Sequence, residues 1–272
     1  MTLVVSMRSP DGIIIAADSL ATTLAGIETK VKMPVDCPNC KNKIAVDANI
    51  QLPPLPTSTF SFAQKVFPLL KQFGIGVFGQ GQLAGKTIYF AVKELEYELQ
   101  NQWKDEYSDI KKIIEILNDR LLELLNVQYP DRKEKAPDKW IAFGYQIVGY
   151  LNSDPVTFEV HFGKNDPTIK PLTDRNSCSV SGETRIVTTL FGLYNAEPAM
   201  RPAFEVFSIQ DAIDYAEFLI STTSKFQRFT RNMPTVGGEI DIGLVTPFDG
   251  FKWIRQKALS KVLESRTGDC NA

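Results

Sequence analysis

Apolar and polar positions along the chain alternate between the period of a strand and that of a helix. Leu3-Val4-Val5-Ser6-Met7-Arg8 is a β-favouring run, Ser9-Pro10-Asp11-Gly12 has turn chemistry, and Ile13-Ile14-Ile15-Ala16-Ala17 is fully apolar. Together they predict a hairpin whose second strand is buried. Strand character returns at Lys65-Val66-Phe67 and at Gly74-Ile75-Gly76-Val77-Phe78, which runs into Gly79-Gln80-Gly81. A helix follows from about Ala84 to Trp103. A second is opened by Ser108 and carried by Ile110, Ile113, Ile114, Leu117, Leu121 and Leu124 at i, i+3, i+4, i+7 spacing. That stripe is core packing.

The charged run Asp131-Arg132-Lys133-Glu134-Lys135 reads as a solvated loop, ahead of strands at about 140–151 and 156–162. Ser177 to Glu183 then precedes an amphipathic helix over about 184–194. Ser208 with Asp211 forms a capping box for another helix, with Ala212, Ile213, Ala216, Leu219 and Ile220 on its apolar face. Glu239 to Val245 is a strand, Pro247-Phe248-Asp249-Gly250 a turn, Phe251 to Ile254 a strand, and about 256–265 a last helix. From about residue 26 to 62 the pattern breaks, with Cys37-Pro38-Asn39-Cys40 and Leu52-Pro53-Pro54-Leu55-Pro56. Proline at this density is excluded from central strands and helices, so this segment is an insertion made of loop or a small appended module. Strands and helices arrive in groups, which favours an α+β fold with antiparallel sheets and outer helices over a doubly wound one. No compositional break divides the 272 residues, so the chain reads as one domain, 1–272, carrying that insertion.

Composition narrows the chemistry. Thirty Lys and Arg against 32 Asp and Glu leave a formal charge of −2, too little positive charge for a nucleic-acid partner. No apolar run reaches the ~20 residues that span a bilayer, and no secretory leader pattern opens the chain, so the expectation is a soluble, cytoplasmic protein. Four cysteines (Cys37, Cys40, Cys178, Cys270) do not make a disulfide framework at this length. The single histidine, His161, lies on the polar side of a strand and reads as a surface residue. Zinc patterns built on paired histidines are excluded, and a Ser-His-Asp triad would have to use this one imidazole.

A hydrolase with this composition needs another base, and the start of the chain offers one. Thr2 is small enough for methionine aminopeptidase to remove Met1 before it, which would free the Thr2 α-amine. A threonine with a free amine holds nucleophile and base in one residue, and an α-amine titrates near pH ~7.7–8.0. Asp18 ends an otherwise apolar strand, where a buried charge requires a partner unless it simply begins a turn with Ser19.

These residues resemble a known family. Thr2-Leu3-Val4-Val5, followed by Asp11-Gly12-Ile13-Ile14-Ile15-Ala16-Ala17-Asp18-Ser19-Leu20-Ala21-Thr22, is similar to the start of proteasome β-type subunits, which are N-terminal nucleophile hydrolases. Gln64-Lys65-Val66-Phe67, Gly74 to Gly81, Ser179-Val180-Ser181-Gly182-Glu183 and Gly237-Gly238-Glu239-Ile240-Asp241-Ile242 resemble that family's later motifs in order. The resemblance implies a four-layer αββα sandwich. It implies Thr2 as nucleophile and base, Asp18 paired with Lys65 beside it, the Gly79 N–H as oxyanion donor, and Ser181 near the Thr2 amine. Thr22 and Gly81 would align a peptide as an added strand, and Ala21, Ala63 and Val77 would line the pocket before the cut bond. Further implications are a peptide or unfolded-protein substrate, a homo-oligomer, an ATPase unfoldase as partner and no cofactor.

Three departures stand out. The insertion before Lys65 is far longer than the family's loop, Leu20 replaces a usual arginine, and Asn232-Met233-Pro234 stands where an aspartate is expected. They keep two alternatives open: a catalytically inactive scaffold or gating subunit, and an amidase for small amides. Cys37 and Cys40 have the form of half a zinc knuckle, with free thiols or a local redox pair as the competing reading.

Overall fold

The computed structural model of the chain describes residues 2–36, 43–102, 104–151, 153–172, 177–231 and 233–258, with the side chains of 24–57 and 105–106 excepted. The hairpin is present as β1 (Leu3–Ser9) and β2 (Gly12–Asp18), paired from Ser9 with Gly12 to Val4 with Ala17. Every residue of both strands is buried.

Of the two forms expected of the insertion, loop or small appended module, the structure has the second. β3 (Ala21–Asp36) and β4 (Lys43–Phe60) form a two-stranded ribbon, and residues Thr22–Phe60 make a compact unit of their own. Pro34, Pro53, Pro54 and Pro56 all lie within these strands. Proline is excluded only where a strand is bonded on both sides. Each strand of a ribbon keeps one free edge, so the missing N–H is tolerated. Among the ribbon's described side chains, Thr23 Oγ1 lies 2.9 Å from Ser58 Oγ.

β5 (Val66–Leu69) and β6 (Phe73–Gly79) form a second hairpin, and β7 (Gln82–Leu83) with β8 (Lys86–Thr87) a minimal one. That small hairpin delays the first helix, α1 (Ile88–Asn101), because Ala84 and Gly85 both take positive φ and Thr87 supplies the cap to Phe90 N–H. Asp109, rather than Ser108, caps α2 (Ile110–Gln128), since Ser108 ends a short 3-10 turn. Along α2 the buried stripe closes on Leu125, with Leu124 only half-buried. The charged run 131–135 holds a single turn, α3 (Arg132–Lys135), and Arg132 is not solvated: it is 3% exposed, with Nη1 donating to the carbonyls of Gly163, Lys164 and Asn165. Its planar fork gathers a turn of carbonyls that would otherwise lack donors.

β9 (Ile141–Leu151), β10 (Asp154–Gly163) and β11 (Thr168–Leu172) follow as a meander. β11 is exposed on most positions and carries no apolar alternation that would announce it. After β12 (Cys178–Gly182) come α4 (Arg185–Ala196) and α5 (Ile209–Gln227), the latter opened by the Ser208/Asp211 capping box. β13 (Ile240–Thr246) and β14 (Gly250–Arg255) end the regular structure. Residues 256–258 continue without helix, and the rest of the expected 256–265 helix lies outside the described residues.

Two five-stranded antiparallel sheets result, ordered β12-β1-β2-β13-β14 and β11-β10-β9-β6-β5. One core cluster lies between the first sheet and α4 and α5, with Leu3, Val5, Ile14, Ala16, Val187, Ala216 and Leu219. Another joins the second sheet to α1 and α2 through Phe67, Ile75, Leu95, Ile113, Leu117 and Phe143. A third fills the space between sheets with Val4, Ile13, Ile15, Val66, Phe78 and Val148. This is the αββα sandwich. Strand alternation sends successive residues to opposite layers, which is why β1 and β2 are buried on both faces. The sheets meet so closely at Gly76 that a Cβ there would lie 2.5 Å from Val4 Cγ1.

Candidate active site

Asp18 ends β2 at the register position facing Ile240 of β13. Its carboxylate accepts the N–H groups of Leu3 at 3.1 Å, Leu20 at 3.1 Å and Gly237 at 2.9 Å. Lys65 Nζ reaches both carboxylate oxygens at 3.1 Å and also donates to the Leu20 carbonyl at 2.5 Å. Asp18 is 1% exposed and Lys65 6%. Burial raises the Asp18 carboxyl above its ordinary value, against the pull of Lys65 and the backbone donors. Burial likewise lowers the Lys65 ammonium, opposed by Asp18 and assisted by the Lys257 ammonium. Asp18 thereby joins four separate segments, those of Leu3, Leu20, Lys65 and Gly237, around one charge.

Thr2 directly precedes β1 and is 3% exposed. Continuing the alternation of β1 sets it on the face of Val4, which looks between the sheets. Its carbonyl accepts the Glu183 N–H at 2.7 Å, and Gly182 opposes Leu3 in the β1–β12 ladder. Gly182 takes φ +90, and a Cβ there would sit 1.9 Å from the Thr2 carbonyl oxygen. Gly182→Ala is therefore expected to cost about 2–4 kcal/mol, the sum of a left-handed backbone penalty and an overpacked contact. Urea unfolding would read this as a lower midpoint at unchanged slope; an unchanged midpoint would contradict the close approach.

Ser181 faces Val4 in the same ladder, and its partners come from the opposite sheet. Ser181 Oγ donates to Glu159 Oε1 at 2.7 Å and accepts from Gln146 Nε2 at 2.6 Å. His161 Nε2 lies 3.0 Å from the same Glu159 oxygen, and its ring meets Phe78 edge-on at 5.5 Å between centroids. His161 is thus not the surface residue expected: its side chain is 28% exposed, and its Nδ1 is buried with no partner among the described residues. Neither Glu159 nor Gln146 stands out in the sequence. Thr157, Glu159 and His161 alternate as a solvated face would, but here that face meets β12 and β1. The Arg8 Nε bond to Thr157 Oγ1 at 3.1 Å belongs to the same layer.

Burial pushes the Glu159 carboxyl up, and hydrogen bonds from His161 and Ser181 outweigh it, leaving it below its ordinary value of 4.5. A carboxyl with a lowered folded-state pKa contributes stability above its unfolded value and loses it as pH falls through the folded one. The stability advantage over Glu159→Gln is therefore expected to be present at neutral pH and to be lost as the pH falls below the ordinary carboxyl value in urea titrations. A gap that widens on acidification would contradict this sign.

The other predicted positions are more scattered. Gly79 closes β6 at φ +85, opposite Phe143. The Gly81 carbonyl accepts the Ile88 N–H at 3.0 Å where α1 begins. Ala63 N–H donates to the Ser19 carbonyl at 2.9 Å, and Ala21 is half-buried. Val77 donates its N–H to the Lys65 carbonyl at 2.8 Å, while its side chain joins the core beneath α1 and α2. Thr22 belongs to the ribbon unit. Cys37, Cys40, Asn232 and Cys270 lie outside the described residues. A second buried ion pair, unannounced in the sequence, joins Lys257 to Asp241: Nζ meets Oδ2, and the Lys257 N–H donates to Oδ1 at 2.8 Å.

Comparison with solved structures finds similarity to the Anbu (Gly-1) mutant from Hyphomicrobium sp. strain MC1. The TM-score is 0.50 at 16% identity, over 97% of this chain and 91% of that one. At this identity the likeness speaks for the fold alone, and it agrees with the αββα sandwich described above. No protein-family model matches the chain, and neither does any curated protein sequence. Among the described residues, no helix is long and apolar enough to cross a membrane.

Proposed function

We propose that the chain is a threonine-type amide hydrolase that cleaves peptide bonds through Thr2 once the residue before it has been removed. The observation that carries this reading is the buried Asp18–Lys65 pair, whose carboxylate is bonded to the N–H of Leu3, the residue adjoining Thr2. A strand end needs no such pair, and a buried ion pair is weak evidence for stability by itself. Beside a threonine nucleophile its use is evident. A fixed ammonium lowers the proton affinity of the neighbouring hydroxyl and amine.

In the reaction, Thr2 Oγ attacks the carbonyl carbon while its proton passes to the Thr2 α-amine. The resulting oxyanion takes the Gly79 N–H, a type of donor worth about 3 kcal/mol in comparable sites. The amine then hands the proton to the departing nitrogen, leaving an ester on Thr2. Water, deprotonated by the same amine, attacks this ester and releases the acid. As the acid leaves, the amine passes the water proton to Thr2 Oγ; the original hydroxyl proton has gone with the departing amine, so the enzyme is restored and one water is consumed.

The substrate class within this proposal is a peptide or unfolded protein laid as a strand past Ala21 and Gly81, in a homo-oligomer fed by an ATPase unfoldase. Intact mass after treatment with an epoxyketone peptide tests the reaction. That warhead closes a ring only where hydroxyl and free amine belong to one residue, so one adduct on a chain lacking Met1 is expected. A chain that keeps Met1 or gains no adduct overturns the reading. The burial of Thr2 favours a second one, a non-catalytic scaffold on the same fold, and the absence of an adduct would be its signature.

A further inference from the structure

The directions of the hydrogen bonds around Ser181 Oγ are determined by its partners. An ionised carboxylate only accepts, so the Ser181 proton points at Glu159 Oε1, 2.7 Å away. With that proton committed, Gln146 must offer its amide N–H at 2.6 Å, which takes one of the two lone pairs. One lone pair remains, so Ser181 can meet any further group only as an acceptor. Glu159 is held in turn by His161 Nε2 at 3.0 Å. The charged groups around it are Lys170, opposite it on β11, and Arg8, two positions along β10 at Thr157. Ser181 opposes Val4, two register positions from the point where the Thr2 carbonyl binds Glu183 N–H, and so on the same face of the ladder.

We propose that Glu159 is a positioning residue for the α-amine of Thr2. By taking the Ser181 proton, it obliges Ser181 to accept one amine N–H, which turns the nitrogen lone pair toward the Thr2 hydroxyl. A Ser181 free to donate would instead cover that lone pair and block proton uptake. Glu159 is supplied to Ser181 by the opposite sheet. This role rests on the reading of Thr2 as nucleophile.

The test uses full-length protein released from an N-terminal fusion cut directly before Thr2, so that the amine is free in every variant. Two readouts are followed: the pH midpoint of the Thr2 amine, from carbon shifts of labelled threonine, and the rate of acylation by a β-lactone. In Glu159→Ala the midpoint is expected to fall and the rate to drop about fivefold to tenfold, the size of one hydrogen bond. Glu159→Gln, whose amide oxygen still accepts the Ser181 proton, is expected to keep the rate within about twofold. Glu159→Ala combined with Ser181→Ala is expected to lose no more than Ser181→Ala alone.

An unmoved midpoint in Glu159→Ala overturns the proposal. So does a double variant whose losses multiply, or a Glu159→Gln as slow as Glu159→Ala. A midpoint that falls in a protein the lactone never acylates would support the Ser181 orientation while removing Thr2 as nucleophile.

Discussion

Thr2→Ala is expected to be unreactive toward the β-lactone and to lose peptide hydrolysis down to background, while Thr2→Ser keeps both. The alanine variant retains the α-amine, the Asp18–Lys65 pair and the ladder bond from Glu183, so only the attacking oxygen is removed. Losing an acyl-transfer nucleophile costs about 10⁶-fold in comparable enzymes. Thr2 is buried, but its side chain is small, and Thr2→Ala should move the thermal midpoint by only a few degrees. Loss of activity in a folded protein then belongs to the hydroxyl. Thr2→Ala that hydrolyses peptides at the wild-type rate would end the proposal that the chain works through its own threonine.

Lys65→Met is expected to destabilise the protein more than any surface substitution. It leaves Asp18 buried at 1% exposure without a counter-charge, and breaking such a pair from one side costs about 3–5 kcal/mol. For a chain of this size that is a thermal shift of roughly 6–20 °C. Asp18→Asn added to Lys65→Met is expected to recover much of the loss, because a neutral amide oxygen still accepts from Leu3, Leu20 or Gly237 without needing a cation. Acylation should stay absent in both. Stability and chemistry would then separate within one pair of variants. A Lys65→Met protein as stable as wild type would show that the pair carries no buried charge.

The parts of this architecture that the sequence discloses are those set by short-range periodicity. The β1–β2 hairpin, the α2 stripe and the Ser208/Asp211 box each follow from spacing within a few residues, and the structure contains them. What escapes is decided by partners distant along the chain. Glu159 is polar on a strand with period two, the pattern of a wet face, and only the approach of β12 makes that face dry. Arg132 sits in a charged run, and its burial depends on three carbonyls some thirty residues later. Lys257 pairs with Asp241 because β14 runs back along β13 and the chain continues past its end, which no local pattern announces. The prolines of β4 left loop and module undecided for a related reason: the rule against them depends on how many neighbours a strand has.

The outer strands of the two sheets bear on how this fold avoids pairing with other chains. β11 carries Lys170 and Pro171, and β5 carries Pro68, each on a strand that is outermost in its sheet among the described residues. Proline offers no N–H to a passing strand, and lysine resists the loss of water that pairing would demand. In the first sheet the outer β14 carries Lys252 and Arg255. A protein that meets extended peptides, as proposed for this chain, runs a standing risk of seeding its own aggregation. These three edges make chance templating unfavourable and leave strand recognition to the place where the chemistry is.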